Sequence, residues 1–245
     1  MDECRAGESR GTGARERAIA LALALVLSLA AAFPLVAGPG MPNTRAGGDS
    51  VFLLQRVQQL AENLRAGVFP ARWMADAAQG LGYPFYNFYA ALPYYFAAVL
   101  NLLGLSLVRS VQAAQVVGFL LAGIGAYGLG RRLGAGRPAA ILAAAAYTYA
   151  PFHLVNVYVR GDSLSEFTAM GLFPWLLWAA LEVVRRRDAL SVACLAGGFG
   201  LLILTHNISA MLFSPYLVLW IVAAAFRPNA PRPWRAVGLC VAGLA

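Results

Sequence analysis

The chain breaks repeatedly into apolar runs of about 16 to 20 residues, the length a helix needs to cross the hydrocarbon of a bilayer. They fall at 18–36, 111–129, 139–155, 167–184, 189–204 and 210–226. A further run, 237–245, is cut off where the sequence stops. Hydrocarbon offers no water to backbone amides, so each run must close its hydrogen bonds within itself as a helix. The every-second-residue alternation of a membrane β-barrel is missing. These patterns predict an all-α, polytopic transmembrane helical bundle, not the one or two soluble domains that 245 residues would otherwise allow.

The charge pattern orients that bundle. Only 12% of residues are charged, the net charge is +8, and every basic residue is arginine. A basic balance can mark a nucleic-acid binder. Here the arginines instead sit in short clusters between apolar runs: Arg131, Arg132 and Arg137; Arg185, Arg186 and Arg187; Arg227, Arg232 and Arg235. The positive-inside rule makes those loops cytoplasmic and puts 157–166 and 205–209 outside. Arg15 and Arg17 directly precede the first run, which is too long for the core of a signal peptide. The expectation is a cytoplasmic tail at 1–17, a retained anchor, and a home in a bacterial plasma membrane. The stop inside an apolar run is expected to mark a fragment or a truncated gene product. The three cysteines show no metal or disulfide spacing.

The stretch 37–110 is expected to be a long external loop with helices lying along the membrane. Residues 50–66 carry Leu53, Val57, Leu60 and Leu64 at helical spacing, with glutamines and charges between them. This is an amphipathic helix suited to the interface, closed by Gly67. Next come an Arg72-Trp73 pair and the aromatic segment Gly80-Leu-Gly-Tyr-Pro-Phe-Tyr-Asn-Phe-Tyr89. Residues 84–107 decide the sidedness of what precedes them. If they cross the membrane, Asp49 lies inside; if not, Asp49 and Asp162 share the outer face. Tyrosines, asparagines and prolines are interface chemistry, which favours the second arrangement.

Carboxylates at a membrane edge must be hydrated or paired, so the few present carry weight. Asp49 can cap the amphipathic helix or act as a base, and the two roles are compatible. In Arg160-Gly-Asp162-Ser-Leu-Ser-Glu166 the charges either neutralise one another or divide the work, with Arg160 forking onto a phosphate and an acid moving a proton. Arg72 is an interfacial neighbour of a tryptophan or a second phosphate ligand. His206 with Asn207 is a hydrogen-bonded helix edge or part of a cavity wall. Gly123-Ile-Gly-Ala-Tyr-Gly128 matches a dinucleotide fingerprint only in letters. It sits inside an apolar run with no strand before it, so close helix packing explains it. Glu182 is expected to pair with Arg185 and Arg186 on its own helix.

One span, an acid-opened external loop with an amphipathic helix, the tyrosine-rich segment, then short-looped spans with a second external acid: this order resembles the GT-C superfamily of membrane glycosyltransferases. The stretches 48–105, Arg160 to Glu166 and Thr205-His-Asn207 look most like bacterial membrane proteins of the 6-pyruvoyl-tetrahydropterin synthase-related kind; no pterin chemistry is inferred from that label. The resemblance implies transfer of a sugar from a polyprenyl-phosphate donor. Asp49 would be the base, with Asp162 or Glu166 assisting. Arg160 or Arg72 would hold the donor phosphate, and Tyr86, Tyr89, His206 and Asn207 would line the cavity. The paired acid that could complete a divalent metal site is replaced by Ser50, so a metal is allowed but not required. A transporter or flippase of a lipid or small solute, and an inactive scaffold of the same fold, remain the competing readings.

Overall fold

The computed structural model describes residues 2–41, 50–161, 163–227 and 233–244, so Asp49 and Asp162 lie outside the described residues. The helices run α1 (Asp2–Ala37), α2 (Ser50–Arg65), α3 (Phe85–Phe88), α4 (Leu92–Leu102), α5 (Leu107–Arg132), α6 (Arg137–Thr148), α7 (Pro151–Leu154), α8 (Leu164–Arg186), α9 (Ala189–Thr205), α10 (Asn207–Ala225) and α11 (Pro233–Ala242). A 3₁₀ turn at Ala78–Gly80 and a π turn at Val155–Arg160 complete the elements. Among the described residues the one extended pairing is a bridge between Met74 and Tyr83. Ala18–Ala37, α5, α8 and α10 are long and apolar enough to cross a membrane; α6 with Pro151–Arg160 makes a fifth if that bent pair is one span. The chain is therefore the all-α polytopic bundle its sequence predicts. Helix α4, at 11 residues, is about 16 Å long and reaches about half way through hydrocarbon.

Two expected spans differ. The run 189–204 forms α9, whose 17 residues leave it among the shorter apolar helices. The run 139–155 is not a single helix: α6 ends at Thr148, Ala150 is extended, and Pro151 opens a new helix bent by 42° from the first. Hydropathy continues smoothly across this point, but a proline ring disfavours helical backbone in the residue before it. The ladder then widens into the π turn. Gly161, at φ 73°, stops it in the left-handed region that a side chain rarely tolerates, leaving Arg160 at the end of the element.

Helices α5 and α8 form the centre, and α5 meets its neighbours through glycine. A Cβ added at Gly118 would overlap the ring of Phe167, which is itself buried. One at Gly171 would lie 3.0 Å from the Gly118 carbonyl oxygen. Within the glycine motif, Gly123 lies against Ser28 and Thr148, Gly125 against Trp175 and Gly128 against Trp178. The motif is a packing seam, as expected. Where lipid surrounds a protein, such close approach supplies much of the attraction between helices.

Helix α8 also contains Pro174, which has no N–H to give to the Met170 carbonyl one turn earlier. The Tyr147 hydroxyl of α6 fills that vacancy, donating to Met170 O at 2.7 Å.

The two ends of the bundle are chemically distinct. At one, Glu182 binds Arg132 of α5 through both oxygens, Arg186 at 2.8 Å and the Trp178 indole at 3.1 Å. The helix-surface pair expected from sequence is thus half of an inter-helix clamp. Arg185, its other expected partner, donates to the Arg132 carbonyl at 3.0 Å. At the opposite end, Arg109 reaches Val36 O and Gln112 reaches Gly40 O, both at 3.0 Å, tying the end of α1 to the start of α5.

Candidate functional site

The site lies at the end where α2, the aromatic segment, the π turn and the starts of α8 and α10 converge. Helix α2 is placed by its apolar stripe. Leu53, Val57 and Leu60 are fully buried against Ala71, Met74, Phe85, Tyr94 and Ala97. The stripe that sequence alone assigns to the membrane interface is covered by the protein itself. Gln59, on the nominally polar face, is also buried; its side-chain oxygen accepts from the Asp76 amide at 3.0 Å. As expected, Gly67 ends the helix, with its amide bonded back to Leu64 O at 3.0 Å.

This packing leaves a cleft of about 390 Å3, in the range of small-ligand sites. Its wall comprises Arg56, Tyr83, Phe85, Tyr89, Ala90 and Tyr94 from the first loop, Arg160, Ser163, Ser165 and Glu166 from the second, and His206. Two guanidiniums face one carboxylate among these residues, so the cleft favours an anion. Arg160 Nη1 donates at 2.9 Å to both Asn156 Oδ1 and Glu166 Oε2. Arg56 lies 4.6 Å over the Phe85 ring and donates to the Tyr94 hydroxyl at 3.4 Å. Tyr89 stacks on the other residues' aromatic partner, Phe85, with centroids 4.7 Å apart.

His206 caps α10: its Nδ1 lies 2.7 Å from Ser209 Oγ and 3.3 Å from the Ser209 amide. Burial holds its imidazole below the usual histidine range; Glu166 opposes that effect and Arg160 adds to it. A ring kept neutral retains the lone pair the cap needs.

Of the residues singled out from sequence, Arg160, Glu166, Tyr89 and His206 come together on the cleft wall. Asn207 sits beside it, with its amide 3.5 Å from Phe88 O, joining α10 to the aromatic segment. Tyr86 is not on the wall. It is buried and its hydroxyl donates to the Arg56 carbonyl at 2.5 Å, supporting α2 from beneath. Burial pushes its hydroxyl pKa well above that of free tyrosine, so it remains a donor. Arg72 is exposed and also off the wall. Asp49 and Asp162 fall outside the described residues. Sequence reasoning missed Arg56, which looks like any polar-face residue until Phe85 and Tyr94 are brought to it. Replacing Tyr86 with phenylalanine is expected to lower stability by about 1 kcal/mol, because the buried hydroxyl's bond to the Arg56 carbonyl is lost; thermal unfolding in detergent measures this directly.

A bundle of membrane-crossing helices with a cationic cleft where several helices end defines a multi-pass membrane protein bearing a polar site at one face. Residues 86–245, more than half of the chain, match the family model described as "6-pyruvoyl-tetrahydropterin synthase related domain; membrane protein", and the chain belongs to that family. The match bears out the nearer of the two resemblances drawn from sequence. An uncharacterized protein of Lactococcus lactis subsp. cremoris (strain MG1363) is 24% identical over 199 residues, covering 80% of this chain and 32% of that protein. The chain thus spans about a third of that relative's length. No solved structure matches. The family match begins at Tyr86, so it includes Arg160, Glu166 and His206 but not Arg56.

Proposed function

We propose that the cleft binds the phosphate of a polyprenyl-phosphate-linked sugar and that the protein transfers the sugar to an acceptor hydroxyl at the outer membrane face. The observation that carries this is the pairing of Arg56 and Arg160 on one cleft with a single described carboxylate, Glu166. A lipid-linked donor cannot leave the bilayer, so its phosphate sits at headgroup depth, where the span-forming helices end. The acceptor oxygen attacks the anomeric carbon as the bond from that carbon to the phosphate oxygen breaks. The acceptor proton passes to a carboxylate, assigned to Asp49, with Asp162 or Glu166 assisting. The departing polyprenyl phosphate keeps the electron pair, and Arg160 and Arg56 offset its charge. Arg160 can do this because Glu166 and Asn156 hold its guanidinium in place. Among the described residues no three His, Cys, Asp or Glu side chains gather to hold a metal ion.

The test is label transfer from a polyprenyl-phosphate sugar in membranes containing the full-length protein. Asp49→Asn is expected to reduce transfer about 100-fold or more. An Asp49→Asn protein as active as wild type removes Asp49 as the base. A transporter reading draws on the 42° break before Pro151 and the π turn after it, since broken helices recur in transporters. Solute uptake into proteoliposomes without sugar transfer would favour it.

A further inference from the structure

A second site lies at the arginine-rich end, away from the cleft and independent of what the cleft does. There α1, α5 and α8 leave a groove of about 460 Å3, lined by Leu21, Ile124, Tyr127, Arg131, Trp175 and Trp178 among others. We propose that this groove holds an anionic phospholipid, with its headgroup phosphate on Arg131 and an acyl chain along the tryptophans.

Three features converge on that ligand. The two indoles lie nearly parallel with centroids 5.7 Å apart. Both N–H groups are already used, Trp175 on Leu121 O at 2.9 Å and Trp178 on Glu182 at 3.1 Å. The rings therefore offer hydrocarbon, not hydrogen bonds, to whatever occupies the groove. Arg131 differs from Arg132 beside it. Arg132 spends its charge on Glu182, whereas among the described residues Arg131 donates to the Ala135 carbonyl at 2.8 Å and pairs with no carboxylate. Of the two arginines that line the groove, Arg132 is taken up with Arg186 by Glu182, and Arg185 donates to the Arg132 carbonyl, which leaves Arg131 facing the groove.

Position supplies the third feature. Arg131 and Arg132 form the last turn of α5, Arg185 and Arg186 that of α8, and Leu21 lies near the start of the α1 span. The groove therefore runs from headgroup depth into hydrocarbon. Basic pockets between helix ends suit anionic headgroups, each nearby arginine being worth about 1 kcal/mol, or about fivefold in binding. Stacked indoles alone would also attract a choline cation, but the guanidiniums of Arg131 and Arg132 in the groove wall repel one. A soluble phosphate would find the charge but gain nothing from the apolar floor.

The experiment uses the full chain in phosphatidylcholine bilayers and follows quenching of tryptophan fluorescence by bromine-labelled lipid. Bromine-labelled phosphatidylglycerol is expected to bind about fivefold or more tightly than bromine-labelled phosphatidylcholine at matched mole fraction. Arg131→Gln should remove about fivefold of that preference, and Arg131→Lys should keep it, because a point charge suffices. Equal quenching of the wild type by the two lipids overturns the proposal, as does a full preference persisting in Arg131→Gln. Displacement of phosphatidylglycerol by inorganic phosphate at moderate concentration also overturns it, since the site would then bind a soluble anion. The two wild-type comparisons decide the matter even if Arg131→Gln fails to fold.

Discussion

Replacing Arg160 with glutamine is expected to cut sugar transfer about 100- to 1000-fold, the loss seen when one preorganised donor to a developing anion is removed. The amount of folded protein should hardly change. Arg160 is paired with Glu166 at 2.9 Å, but the two side chains keep 44% and 26% of their exposure, so water screens the pair and little stability rides on it. Arg160→Lys separates charge from geometry. It keeps the cation but loses the planar fork that Asn156 and Glu166 hold in place. Its activity should fall between wild type and glutamine. Label transfer and thermal unfolding, measured on the same preparations, check both halves. Full activity in Arg160→Gln would remove the cleft from the chemistry.

The largest loss of stability is expected from Gly118→Leu. The new side chain would enter the space filled by the buried Phe167 ring, where α5 and α8 approach through Gly118 and Gly171. Overpacking of a filled contact usually destabilises by about 1–3 kcal/mol and sometimes more. Here the obstruction is a ring wedged between helices, so the upper end applies. Gly197→Leu on α9 is the matched control: a Cβ there meets nothing within 4 Å, and no loss is expected. Unfolding of the three proteins in detergent distinguishes a specific seam from a general intolerance of leucine for glycine. Because Ser165 and Glu166 ride on the start of α8, Gly118→Leu should also lose transfer activity.

What the sequence reveals, and what it hides, follows from the range of each interaction. The stripe Leu53, Val57, Leu60 is legible because helical periodicity is local, and so is the end of α2 at Gly67. The glycine seam is legible because only close packing makes sense of such a motif inside an apolar run. The break at Ala150 is readable only by giving Pro151 more weight than the hydropathy around it. The clamp on Glu182 is hidden because its main partner, Arg132, lies 50 residues away. Arg56 is hidden for the same reason: its value depends on Phe85 and Tyr94, which only the fold brings near. Arg160, Glu166 and His206 could be named beforehand because charge and histidine are scarce in this chain. Tyr86 illustrates the opposite case, since an aromatic near a site is as easily a prop as a wall.

The Tyr147–Met170 bond has a consequence for relatives of this chain. A carbonyl stripped of its amide by Pro174 can find no replacement donor in oil, so the tyrosine and the proline solve one problem jointly although they sit on different helices. Losing the tyrosine alone should be harmful, whereas losing the proline restores the amide and makes the hydroxyl redundant. Over evolutionary time the two positions should therefore change as a couple, and a lineage that restores an ordinary residue at 174 is free to let 147 become phenylalanine.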